Sequence, residues 1–268
     1  STFHICCADM SAFEPFESFG DLEEIAKGLT SPDSSVRRLA VIEIAETASP
    51  DAVKYLASAV SDAASDVRFQ AVRALGEFDG PIVAEALVKG IVDSDPDVAG
   101  ASAESLAEIR DPEAGPALLP LVSHNSAFVR ASIFRSLKAL RIPESLGPAV
   151  AALGDPDPAV RVQSVGVIGY LKRVETLPSL IGAARDANPD VRLAAINALA
   201  FARNAAAAQA ASDALKDSEW QVRAAAAEAI AKIGLTSAVS AVRAVLGDEY
   251  WQVRQKALQS LGKLKARD

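Results

Sequence analysis

Valine stands at positions 36, 67, 98, 129, 160, 191, 222 and 253, each 31 residues after the last, and apolar or small residues follow it at fixed offsets. After Val67 come Ala71, Leu75 and Phe78; after Val160 come Ser164, Ile168 and Leu171. Offsets of 4, 8 and 11 fall on one stripe of a helix with 3.6 residues per turn, with polar residues on the opposite side. Three residues before the valine, Asp33, Asp95, Asp157 and Asn188 are placed to cap the free amides of a helix start. Pro96, Pro158 and Pro189 come next, at a first helical position, where the missing amide costs nothing. Earlier in each unit a second stripe, such as Val53, Leu56 and Val60, predicts another helix. Period-two alternation is absent, so no strand is predicted.

Counted from residue 21, the chain divides into eight units of 31, or 248 residues, with no insertion. A helix pair of this size cannot bury its apolar stripe alone, so successive units are expected to stack. Residues 1–20, STFHICCADMSAFEPFESFG, lie outside the repeat and hold four of the nine phenylalanines. They are expected to fold over the first unit as a cap or to serve as a docking arm.

Arginine follows the valine at 37, 68, 130, 161, 192, 223 and 254, whereas Ala99 follows Val98. Five residues before the valine stands an aspartate at 62, 93, 155, 186, 217 and 248, but Ser31 and His124 replace it in units one and four. Unit one has no repeat before it, and unit four follows the unit that lacks its arginine. Both absences are explained if each arginine pairs with the aspartate of the next unit, since a half-buried charge without a partner is costly. The predicted ladder is Arg37–Asp62, Arg68–Asp93, Arg130–Asp155, Arg161–Asp186, Arg192–Asp217 and Arg223–Asp248. It is interrupted once, at a seam expected to be a softer joint or a surface notch, with Gly100 lowering helix propensity further.

Units such as DPDPAVRVQSVGVIGYL and NPDVRLAAINALA resemble the phycobilisome (PBS) lyase HEAT-like repeats, and share the 31-residue plan of the artificial αRep scaffolds. The resemblance covers residues 21–268. It implies an all-α fold, a right-handed α-α superhelix (α-solenoid) of eight 31-residue HEAT-like two-helix repeats, with the second helices lining a concave groove. Positions 2, 3, 6 and 10 after the valine lie opposite the core stripe and would face that groove. The partner-binding candidates there are Phe69, Arg73, Arg135, Gln163, Tyr170, Asn197 and Phe201, with Phe128, Trp220 and Trp251 at the helix-start edge. Large aromatics and arginines are common interface anchors. The two tryptophans, one repeat apart, have the alternative of packing on each other.

The expected function is a non-catalytic protein-protein interaction scaffold or adaptor that binds a partner protein or peptide in the groove. The resemblance also implies an alternative, a bilin lyase-like chromophore-attachment factor or chaperone acting with a second subunit. In that reading Arg73 or Arg135 would pair with tetrapyrrole propionates while Tyr170 and Phe201 pack the rings.

Composition narrows the classes further. The net charge is −8, with 27 basic residues spread along the chain against 35 acidic ones, which argues against nucleic acid as a partner. No apolar run of about 18 residues exists to span a membrane. The start carries no basic segment ahead of a long apolar core, and the only cysteines, Cys6 and Cys7, are adjacent; a reduced, cytoplasmic protein is expected. His4, Cys6 and Cys7 make a poor metal set without a second cysteine pair, and His124 reads as a turn residue. No phosphate-binding G-x-x-x-x-G-K-[ST] loop occurs. No catalytic residue, metal or cofactor is therefore expected.

Overall fold

The computed structural model describes residues 21–234 and 238–265; the roles expected of residues 1–20, including His4, Cys6 and Cys7, lie outside them. Among the described residues, sixteen α-helices and no strand form an all-α superhelix of eight helix pairs. The first helices are α1 (Leu22–Ala26), α3 (Ala52–Ala59), α5 (Pro81–Gly90), α7 (Gly115–Leu118), α9 (Leu146–Ala151), α11 (Leu177–Ala183), α13 (Ala205–Ala214) and α15 (Val239–Ala244). The second helices are α2 (Ser34–Glu46), α4 (Ser65–Leu75), α6 (Pro96–Glu108), α8 (Ala127–Leu140), α10 (Pro158–Leu171), α12 (Pro189–Leu199), α14 (Trp220–Ile233) and α16 (Trp251–Lys265).

The second helices start where the caps predict. Asp33 accepts the amide of Ser35 at 2.8 Å, Asp95 that of Asp97 at 3.0 Å, Asp157 that of Ala159 at 2.8 Å, and Asn188 that of Asp190 at 2.9 Å. The first helices are shorter than their stripes imply. Several pass into 3₁₀ turns, at Lys27–Thr30, Leu119–Ser123, Ala152–Gly154 and Val245–Gly247. In the fourth unit Pro116 and Pro120 each remove an amide from the ladder, so an unbroken α-helix is not available there.

Seven of the eight valines are at most 2% exposed, whereas Val36 of the first unit is 43% exposed. Offset 8 is filled by buried Ile or Leu in every unit, such as Ile44, Leu75 and Ile168. Offset 5 is also core, with Val41, Val72, Phe134, Val165 and Ile196 all fully buried. Second helices pack directly on one another along the whole array, while the first helices touch their successors only in part. Tighter spacing on one side curves a stack toward that side, so the second helices form the inner wall.

The six predicted rungs are all present. Each arginine donates Nε and Nη2 to the two carboxylate oxygens of the aspartate 25 residues on, at 2.6–3.0 Å. Its Nη1 donates to two carbonyls of its own turn, as Arg161 does to Asp155 at 2.9 Å and Pro156 at 3.2 Å. The two partners of a rung keep 8–15% of their side-chain surface exposed. Hydrogen bonds from the arginines hold Asp62, Asp93, Asp155 and Asp248 below the usual carboxylate range, against the opposing effect of burial. At Asp186 and Asp217 burial is the largest effect and opposes the shift, and the arginine and backbone donors together still lower the carboxyl. Across the interrupted seam, α6 runs unbroken through Ala99 and Gly100, and Ala99 is 8% exposed.

Candidate functional site

The inner wall carries side chains that the packing of repeats does not use. Tyr170 is 42% exposed and Phe201 60%, one repeat apart near the C-terminal ends of α10 and α12. Phe128 and Trp251, at helix starts, are 49% and 59% exposed. Arg73, Arg135 and Asn197 are exposed as well. Phe69, Gln163 and Trp220 are half-buried, and Phe69 and Trp220 pack partly on the core.

One contact among these residues departs from the alternative that the sequence offered. Trp220 stacks on Tyr250, with ring centroids 5.8 Å apart and planes 17° from parallel, rather than on Trp251. Tyr250 begins the turn into α16 one residue before Trp251, and that offset aims its ring back across the seam. Cations that the sequence analysis did not single out lie over the central aromatics. Arg141 lies 4.5 Å from the Tyr170 ring centre, and Lys172 and Lys232 lie 4.8 and 5.7 Å from that of Phe201. Arg73 instead covers Phe69 in its own helix, at 5.9 Å.

Arg141 and Lys172 occupy the same place in consecutive units, offset 12, with φ of 58° and 51°. Gly234 fills that place in the seventh unit with φ of 78°. A side chain other than glycine is disfavoured in this left-handed conformation. Arg110, Arg141, Lys172 and Arg203 share this offset with a spacing of 31, and of the four Arg141 and Lys172 are left-handed. The spacing was readable from the chain, but offset 12 lies beyond the helix pattern, and at Arg141 and Lys172 a left-handed turn carries it to the wall's edge.

Lys232 is held in place by Glu228, whose carboxylate lies 2.9 Å from Lys232 Nζ and 2.6 Å from Lys256 Nζ. Hydrogen bonds from Lys256 and then Lys232 depress Glu228 to about 2. Beneath Phe201 a cavity of about 270 Å³ opens between the fifth and sixth units. Its floor is Ile168, Leu177, Leu180 and Ala198, and its rim carries Lys172, Arg173 and Arg203 without any carboxylate. Among the described residues no group of three His, Cys, Asp or Glu side chains is placed to hold a metal, and no helix is long and apolar enough to cross a membrane.

An array of stacked helix pairs with an open inner wall defines an α-solenoid. Residues 22–99, 84–153, 146–219 and 209–268 match the family described as HEAT repeats, and the chain belongs to that family. Among solved structures, Escherichia coli YibA is similar over 91% of this chain and 92% of its own, at 19% identity and a TM-score of 0.61. An engineered protein is similar over 91% and 78%, at 20% identity and a TM-score of 0.54. Kap95p, in a structure describing its binding to RanGDP, is similar over 91% of this chain and 41% of its own, at 13% identity and a TM-score of 0.64. At these identities the likeness is one of fold. A comparison with curated protein sequences gives no match.

Proposed function

We propose that this chain is a non-catalytic scaffold or adaptor that binds a partner protein or peptide along the inner wall of second helices, centred on Arg135, Tyr170 and Phe201. One observation carries the reading: Tyr170 and Phe201 remain 42% and 60% exposed in consecutive repeats although nothing in the stacking requires them there. Exposed aromatics grouped on one face of a repeat array are characteristic of interaction surfaces. Phe69, Arg73, Gln163 and Asn197 extend the wall on either side, and Phe128, Trp220 and Trp251 line its helix-start edge.

The test is affinity capture from the native host, with wild type beside the triple variant Arg135→Ala, Tyr170→Ala, Phe201→Ala. Exposed positions contribute little to folding, roughly 0.5 kcal/mol each. The triple variant should therefore lose its bound proteins while melting within a few degrees of wild type. Equal loss of binding and stability would defeat the assignment. A titration with phycocyanobilin separates this reading from the chromophore one, since a scaffold leaves the pigment's absorbance unchanged.

A further inference from the structure

The cavity beneath Phe201 has a counterpart four repeats earlier, between the first and second units. There Ala48, Val53, Glu77 and Asp79 line the wall at the offsets that Lys172, Leu177, Phe201 and Arg203 take between units five and six. The two notches share one backbone plan and carry opposite charge. The early one is lined by two carboxylates and no cation, the late one by three cations and no carboxylate.

At offset 10 the carboxylates are likewise confined to the early units. Offset 10 holds Glu46, Glu77 and Glu108 in the first three units, then Tyr170, Phe201 and Lys232 in the fifth to seventh. Among the described residues no ion pair within 4.0 Å joins Lys172, Arg173 or Arg203 to a carboxylate. A chain with a net charge of −8 disfavours acidic partners overall. The late notch is where that repulsion turns to attraction, and it offers an apolar floor in the same place.

We propose that this notch docks an acidic peptide segment bearing one aromatic or large aliphatic side chain. The apolar side chain enters the cavity against Phe201, and carboxylates on either side of it meet Lys172, Arg173 and Arg203. Charge complementarity sets which segments approach, and the cavity sets where the segment stops. The inference rests on the reading that the inner wall binds a peptide or protein, and it adds the chemistry and the place.

The test uses the full chain and three fluorescent peptides followed by anisotropy. One has a phenylalanine flanked by aspartates and glutamates, one replaces that phenylalanine with alanine, and one replaces the acids with lysines. The acidic phenylalanine peptide should bind, and the other two should bind at least about tenfold more weakly, as loss of an anchor or of complementary charge implies. Lys172→Glu with Arg203→Glu should cost a similar factor, whereas Glu77→Lys in the early notch should leave affinity unchanged. Arg173→Glu alone gives the same reading if the double variant does not fold. No binding by the acidic phenylalanine peptide overturns the proposal, as does equal binding of the alanine peptide or an equal effect of the changes at both notches. Captured host proteins that survive Lys172→Glu with Arg203→Glu but are lost from the Arg135, Tyr170 and Phe201 triple variant would overturn the acidic-segment inference alone. Retention by the triple variant would overturn the scaffold reading.

Discussion

His124 Nδ1 accepts the amide of Ser126 at 3.2 Å, the bond that Asp155 Oδ1 makes to the amide of Asp157 at 2.9 Å one unit later. Asp62, Asp93, Asp186, Asp217 and Asp248 make it too, each to the residue two positions on. The ladder aspartate thus has two tasks, closing its own turn and receiving the arginine of the previous unit. His124 keeps the first and drops the second, and Ala99 is the arginine that is not there. The turn at the seam is therefore intact while the clip across it is missing.

Restoring the clip needs both partners. An arginine at 99 would reach the carbonyls of Asp93 and Ser94, by analogy with Arg161 on Asp155 and Pro156. Ala99→Arg alone should be neutral or destabilising, because a half-buried guanidinium would lack its carboxylate. His124→Asp alone should be near neutral. The double variant should gain about 1–3 kcal/mol over the sum of the singles, the usual range for coupled neighbours. The gain should appear as slower hydrogen exchange in α6 and α8, since in a repeat array each interface is stabilised locally. A strictly additive double variant would show that the seam is closed by other means.

Acid should open the array at its rungs. The arginine hydrogen bonds lower Asp62, Asp93, Asp155 and Asp248 in the folded chain, relative to about 3.9 when unfolded. A carboxyl with a depressed folded value stabilises above its unfolded value and loses that contribution as pH falls through the folded one. Glu228, at about 2 against an ordinary value of 4.5, behaves the same way between roughly pH 5 and pH 2. Stability should hold level near neutrality and fall below about pH 4. Asp155→Asn should cost about 2–4 kcal/mol at pH 7, because Arg130 keeps its half-buried charge without a full partner. The gap between variant and wild type, read from urea midpoints, should narrow as the wild-type carboxyl protonates. A gap of constant size from pH 7 to pH 2 would mean the carboxylate charge is not what the rung uses.

The repeat length, the two-helix unit and the ladder with its single gap were all legible in the sequence, because each is a fixed spacing between chemically distinctive residues. The arginine and the aspartate of a rung are recognisable as partners because they vanish together, at Ala99 and His124. Less was legible where geometry leaves the helix. Arg141 and Lys172 at offset 12 are left-handed caps, so they reach Tyr170 and Phe201 by a turn that no 3.6-residue period describes. Offset 5 lies outside the stripe of offsets 4, 8 and 11, yet Phe134 there is fully buried. The charge reversal between the two notches shows only when loop and helix ends from adjacent units are seen on one rim.

The third unit is packed too tightly for any added atom on one side. A Cβ on Gly90 would lie 2.1 Å from Ser102 Oγ and 2.8 Å from a Val72 methyl. Gly90→Ala should therefore destabilise by about 1–3 kcal/mol, more than its favourable helix propensity returns. Ser102 itself is fully buried, and among the described residues its hydroxyl has no hydrogen-bond partner. Ser102→Ala should be neutral or stabilising by about 1 kcal/mol, because it removes an unpaired buried polar group. Thermal melts of the two single variants check both statements: the midpoint should fall in Gly90→Ala and hold or rise in Ser102→Ala.

Trp220 and Trp251 should report separately in fluorescence. Trp220 is half-buried and stacked on Tyr250 at 5.8 Å, whereas Trp251 is 59% exposed. In Trp220→Phe, the remaining Trp251 emission should be red-shifted and fully open to iodide quenching. In Trp251→Phe, the remaining emission should be blue-shifted and protected. Tyr250→Ala removes the stacked ring and also the ring that Arg223 covers at 5.6 Å. It should cost about 0.5–1.5 kcal/mol, the usual worth of an aromatic pair, and raise the quenching of Trp220. Stability unchanged by Tyr250→Ala but lowered by Trp251→Phe would place the load on the other tryptophan and reverse the assignment.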